Sequence, residues 1–118
     1  MGDLSEHFSR YEFACRCGCG LDHISPDLII VLEAARTFFS AAINIHCGCR
    51  CPAHNAAVGG VPNSQHLKGT AADIVIAGMT PAQIYRWFDS QYPHELSLGK
   101  YCSFVHVDVR QQRARWTS

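Results

Sequence analysis

The sequence predicts a small α+β domain in which a short, mostly antiparallel sheet carries packed helices. Three observations lead there. The 118 residues fit one domain, 1–118, and leave little room for a second. Two segments, 26–40 and 81–91, repeat apolar residues at helical spacing, and short β-rich runs separate and follow them.

Residues 1–25 are punctuated by CRCGCG and LDHISP without a sustained period, so they read as an irregular, Cys-rich arm wrapped on the domain. Ser25 suits an N-cap, Pro26 the first helical position and Asp27 the first turn. Leu28, Val31, Leu32, Ala35, Phe38 and Phe39 then form the apolar stripe of a helix. AINIH (42–46) is short and β-rich. The segment 47–70 that follows is dense in Gly, Pro, Asn and Ser, with a helical turn expected around 52–58. Its few charges and many special-geometry residues argue against a floppy linker, so it is the first place to look for a site. AADIVIAG reads as a buried strand. Thr80-Pro81 opens a second helix with Ile84, Trp87 and Phe88 on its apolar face, ending near Tyr92-Pro93. The last strand, SFVHVDVR, alternates Val105, Val107 and Val109 against Phe104, His106, Asp108 and Arg110. The tail 111–118 is expected to fray.

Hydrophobic residues make up 47% and charged residues 17%, with ten basic and ten acidic, which describes a chain able to bury a core rather than a disordered one. Zero formal net charge gives no general attraction to nucleic acid or anionic lipid, so neither is expected as a partner. No apolar run approaches the ~18 residues of a membrane span, and MGDLSEHFSRYEF lacks an apolar signal core. The chain is therefore expected to be cytoplasmic as synthesised, and monomeric.

Three residues of metal-ligand type fall at the edges of this scaffold: His66 in the loop, Asp73 near the start of a strand and His106 on the last strand. Two imidazoles and a carboxylate leave a tetrahedral zinc one open position, the pattern of catalytic rather than structural zinc. Such an ion lowers the pKa of bound water to about 7. The surrounding residues sharpen this. Ser64-Gln65-His66-Leu67-Lys68-Gly69-Thr70-Ala71-Ala72-Asp73 spells S-x-H-x-x-G-x-A-x-D, and His106-Val107-Asp108 follows on the strand.

In these motifs the chain resembles the M15 family of zinc peptidases, the D-Ala-D-Ala carboxypeptidase-like group that acts on bacterial cell-wall peptides and is common in phage genomes. The resemblance extends through Cys49-Arg50-Cys51-Pro52, His54-Asn55, Val58-Gly59-Gly60 and the EFACRCGCG arm, over most of residues 5–116. It implies a Hedgehog/D-Ala-D-Ala peptidase-like fold with an open zinc cleft, one wall formed by loop 47–72. It also implies one catalytic Zn2+ held by His66, Asp73 and His106. Gly69 and Ala71 would leave room for the chain to curl between the first two ligands. Arg50 matches the family arginine that faces substrate, where a guanidinium binds a terminal carboxylate or stabilises an oxyanion. Ser64 matches a serine near the substrate, and Gln65 is its neighbour with a suitable amide.

The general base departs from the family pattern, because Lys100, Ser103 and Phe104 stand where an acid or a second histidine is usual. Asp108 shares a face with His106 and is the first candidate. Its other role would be to hydrogen-bond His106 or pair with Arg110. His94 and Glu95 are the second choice. The implied function is hydrolysis of peptidoglycan stem peptides by a zinc-activated water, as a D-Ala-D-Ala-type carboxypeptidase or an endopeptidase. A phage-encoded enzyme would reach the wall after release or delivery. The alternative is a zinc-retaining cell-wall or protein-binding module without catalysis, and a third reading is a cysteine-rich structural or redox protein.

The seven cysteines form Cys15-x-Cys17-x-Cys19 and Cys47-x-Cys49-x-Cys51, with Cys102 apart. Thiolates suit a second, structural zinc, but CxCxC is not the common C-x-x-C spacing. Disulfides between the triplets and reduced, packed thiols are the other readings.

Overall fold

Each α-helix starts at a proline, whose fixed φ suits the first helical position and whose missing N–H has no partner to lose there. In the computed structural model, which describes residues 2–118, these are α1 (Pro26–Phe39), α2 (Pro52–Ala57) and α3 (Pro81–Gln91). On α1, Leu28, Ile29, Val31, Leu32 and Ala35 are buried, whereas Phe38 is exposed and packs edge-on against Phe39. A capping box fixes the start of α3: Gln83 N–H donates to Thr80 Oγ1 at 3.2 Å, and Thr80 N–H donates to Gln83 Oε1 at 2.8 Å. Trp87 lies 5.2 Å from Phe38 and 5.6 Å from Phe39 between ring centroids, which joins α3 to α1.

Five strands form one sheet, β1 (Ile43–Cys47), β2 (Ala71–Ile76), β3 (Ser97–Lys100), β4 (Val105–Asp108) and β5 (Ala114–Thr117), in the order β1-β2-β4-β3-β5. Every pairing is antiparallel except β3 with β5. This is the α+β architecture read from sequence, with two differences. Residues 97–100, to which the sequence pattern assigns no element, form a strand, and the tail expected to fray supplies β5. Four residues are too few to show a period, and β5 is held by tertiary contacts instead. Arg115 donates to Asp89 Oδ1 at 2.7 Å and to the carbonyls of Leu96 and Tyr92. On β4, Val105 and Val107 enter the core while His106 and Asp108 take the other face, as the alternation predicts.

Ile74, Ile76, Leu98, Val105 and Val107 from the sheet close on Leu28, Leu32 and Phe88 from the helices. Burying one such side chain contributes about 1.5–3 kcal/mol. The arm joins this core through Phe8 and Phe13. Glu33 of α1 holds it there by accepting hydrogen bonds from Ser5 Oγ (2.5 Å) and His7 N (2.7 Å), and its other oxygen meets His7 Nδ1 at 2.7 Å. The radius of gyration, 13.3 Å, agrees with the ~13.5 Å of a single domain this long. Among the described residues no helix is long and apolar enough to cross a membrane.

Candidate metal centre

Strand register builds the floor of the site. Asp73 pairs directly with His106 across β2 and β4, His106 with Gly99 across β4 and β3, and Gly99 with Trp116 across β3 and β5. Directly paired residues put their side chains on one face, so a single transverse row brings these groups together. On the other side of Asp73 the register shifts between Ile45 and Cys47, and Cys47 rather than His46 becomes its partner. A bulge of this kind re-aims a side chain, and here it turns a thiol toward the carboxylate. Gly99 has no side chain, and a Cβ there would collide with the Trp116 indole. The indole Nε1–H donates to Tyr101 Oη at 3.0 Å.

His66 comes from above the sheet, on a 3-10 turn (Gln65–Lys68). Ser64 Oγ accepts from His66 N–H at 3.2 Å and so caps that turn. Gly69 ends it at φ +71, and a Cβ there would meet His23, so glycine is required for both conformation and space. The turn delivers His66 Nε2 to 3.2 Å from Asp73 Oδ1, and His106 Nδ1 lies 3.0 Å from the same oxygen. All three side chains are buried.

The far nitrogens fix the tautomers. His66 Nδ1 faces the Gly48 carbonyl at 2.6 Å, and His106 Nε2 faces Asp108 Oδ2 at 2.7 Å. Neither oxygen can donate, so both far nitrogens carry the proton. In the neutral rings His66 Nε2 and His106 Nδ1 then present lone pairs to Asp73, leaving acceptors on acceptors. A cation, or protonation of the rings, resolves this. Tetrahedral zinc with ligand bonds of 2.0–2.2 Å separates its ligand atoms by about 3.3 Å. The observed 3.0 and 3.2 Å from Asp73 Oδ1 to the two ring nitrogens match that separation for each Asp–His pair, while the three residues whose ligand atoms all lie within 4.8 Å of one another are Cys47, His66 and Asp73. The carbonyl and the carboxylate behind the imidazoles are the supports that metal-bound histidines usually have.

Charge follows the same geometry. Burial opposes ionisation of Asp73, but hydrogen bonds from His106 and His66 outweigh it and hold the carboxyl well below its ordinary range. Burial also opposes a charge on His66, yet contacts with Asp73 and Cys47 raise it to about 9. His106 is raised as well, by Asp108 and Asp73 against burial.

The cleft above this floor has a volume of about 580 Å³. Val58–Val61 and Asn63–His66 line it, together with Tyr101, Phe104, Arg110 and Trp116. Arg50 lines it too, held by Nε–H to Cys47 Sγ at 3.2 Å and by NH1 to Asn55 Oδ1 at 3.1 Å, with NH2 3.9 Å from Asp73 Oδ2. Gln65 reaches the cleft, and its Oε1 accepts from Thr70 Oγ1 at 2.9 Å.

Asp108 lies outside the cleft and is fully buried behind His106. Arg110 Nε and NH2 donate to its two oxygens at 2.9 and 2.6 Å, which, with His106, leaves no oxygen for a water in the cleft. Burial works against its charge, and His106 and Arg110 together pull the carboxyl below its ordinary value. His94 and Glu95 are exposed and do not line the cleft. Two groups at the site escaped sequence reasoning. Cys47 offers Sγ within 4.8 Å of ligand atoms of His66 and Asp73, and Trp116 lies 5.2 Å from the His106 ring centroid. The bulge and the pairing of β5 place them, and neither leaves a local signal.

A buried His/Asp/His constellation at the floor of a cleft has the donor chemistry of a candidate metal site. The family model described as Peptidase M15 matches residues 6–108, and the chain belongs to that family. Membership supports a metallopeptidase-type function, and M15 peptidases are generally zinc-dependent. Comparison with curated proteins gives no match.

Proposed function

We propose that the chain is a zinc peptidase that hydrolyses peptidoglycan stem peptides, as a D-Ala-D-Ala-type carboxypeptidase or an endopeptidase. The observation that carries this is the meeting of His66 Nε2 and His106 Nδ1 at Asp73 Oδ1, at the floor of a cleft that Arg50 lines. His66, Asp73 and His106 would hold the ion. Zinc bound there supplies a Lewis acid that polarises the scissile carbonyl and makes water acidic enough to attack near neutral pH.

The chain's own groups do the rest. Gly48 O and Asp108 keep the two imidazoles in the tautomers that face Asp73. Asp108 therefore acts as a positioning residue rather than as the base. Arg50, anchored by Cys47 and Asn55, meets the negative charge of the substrate, either a C-terminal carboxylate or the oxyanion formed on attack. Ser64 acts by shaping the His66 turn, and Gln65 offers its amide N–H groups to the peptide. Cleavage of a synthetic stem peptide ending in D-Ala-D-Ala, compared with its C-terminal amide and with the products identified by mass, tests the reading. A carboxypeptidase cleaves the acid and loses at least about 100-fold in kcat/KM in Arg50→Ala, the scale of one oxyanion-type donor. Equal rates on acid and amide point to an endopeptidase.

One observation favours the second reading, a zinc-retaining binding module. Among the described residues Asp73 is the only carboxylate lining the cleft, and its neighbours hold it ionised. Assigned to the ion, it leaves no second carboxylate in the cleft to take a proton from water. Under this reading the peptide binds in a zinc-dependent way and stays intact.

A further inference from the structure

The six clustered cysteines separate in space into unequal groups. Cys47 turns to the His66 site, and Cys49 is buried with its Sγ–H donating to the Leu21 carbonyl at 3.2 Å. The other four, Cys15, Cys17 and Cys19 from the arm and Cys51 from the loop, bring their sulfurs within 4.8 Å of one another. Cys15 Sγ is 3.5 Å from Cys17 Sγ, which is 3.6 Å from Cys51 Sγ. A disulfide requires about 2.05 Å. A tetrahedral four-thiolate zinc with 2.3 Å bonds has sulfurs about 3.8 Å apart. The observed spacing matches the second geometry.

Local sequence explains how residues two apart reach one point. Cys15, Cys17 and Cys19 would spread along an extended chain by roughly 7 Å per pair. Gly18 at φ +84 and Gly20 at φ +91 curl it instead, and Gly18 N–H donates to the Cys15 carbonyl at 3.2 Å. On the other side Cys51 is the N-cap of α2. Its Sγ accepts from His54 N–H at 3.4 Å, and Cys51 N–H donates to Cys15 Sγ at 3.3 Å.

We propose that Cys15, Cys17, Cys19 and Cys51 form a second metal site, in which four thiolates hold one zinc-like divalent cation and pin the N-terminal arm to the start of α2. Binding releases the four S–H protons to solvent and involves no change of oxidation state. The resulting cluster carries a net charge of −2 beside residue 50, the residue that follows Cys49 and precedes Cys51 in the cleft wall. The site needs nothing from His66, Asp73 or His106, and stands whether or not the chain is a peptidase.

The test uses the full chain, kept reduced and loaded with zinc or cobalt. Alkylation mapped by mass spectrometry should show Cys15, Cys17, Cys19 and Cys51 protected at least about tenfold by zinc, while Cys102, exposed and outside the cluster, reacts freely. Cobalt should give the tetrahedral thiolate spectrum, retained in His66→Ala and lost in Cys17→Ser/Cys19→Ser. Equal alkylation with and without zinc would overturn the proposal, and so would a cobalt–thiolate signal that disappears in His66→Ala. Loss of two hydrogens in a disulfide within this group in the zinc-loaded protein would overturn it too. The protection experiment needs no variant, so a misfolded mutant cannot decide the outcome.

Discussion

Asp108 shows at the scale of one residue how a carboxylate in the same motif as a ligand takes a different role. Period two puts it on the face of His106, but there it is fully buried behind the imidazole, and Arg110 closes both its oxygens. Asp108→Asn keeps the volume and loses the charge that holds His106 Nε2–H. Zinc affinity measured by chelator competition should fall about 10- to 100-fold, the usual cost of losing such a partner. An unchanged affinity would remove Asp108 from the account. Two donor sets share His66 and Asp73, one completed by His106 and the other by Cys47. His106 is the ring with a carboxylate support, whereas Cys47 Sγ accepts from Arg50. Cys47→Ala should therefore leave zinc affinity at this centre within a few-fold of the parent, while His106→Ala should abolish tight binding there, read in a Cys17→Ser/Cys19→Ser background so that the thiolate cluster does not contribute. The reverse pattern, read in the same titration, would reassign the ligand.

At the scale of elements, the arm depends on Glu33. Burial raises the pKa of this carboxyl, but the hydrogen bonds from Ser5 and His7 outweigh burial and lower it below its ordinary value. A depressed folded pKa gives stability that is complete above the unfolded value, near 4.3, and is lost as pH falls through the folded one. Glu33→Gln should cost about 1.5–3 kcal/mol at neutral pH, the range for hydrogen bonds to a charged group. The gap from the parent should close as pH drops below about 4. Parallel denaturation curves across that range would sink this reading. Elements with strong local signals were legible in the sequence. Ser25-Pro26 and Thr80-Pro81 mark the helix starts, and the valine alternation fixes which face of β4 carries His106. β3 and β5 were not legible, since four residues that include a glycine or an arginine carry no period and their parallel pairing is a long-range event. For the same reason His66, Asp73 and His106 could be named from motifs, whereas Cys47 and Trp116 could not.

Over the whole molecule, one row across five strands connects the metal centre to the tail, and one loop connects it to the Cys-rich arm. Residues 111–118 are thus part of the cleft through Trp116, and the arm contributes Phe8 and Phe13 to the core. Fold and centre stand together in a single domain, and hydrolysis of wall peptides is the function proposed for that centre. The most direct measurement is mass spectrometry of purified muropeptides incubated with the protein, with chelator, and with zinc restored. A defined mass loss that stops with chelator and returns with zinc is expected: one alanine for a carboxypeptidase, two separate fragments for an endopeptidase. Intact muropeptides from a folded, zinc-loaded sample would contradict it and leave the binding module in its place.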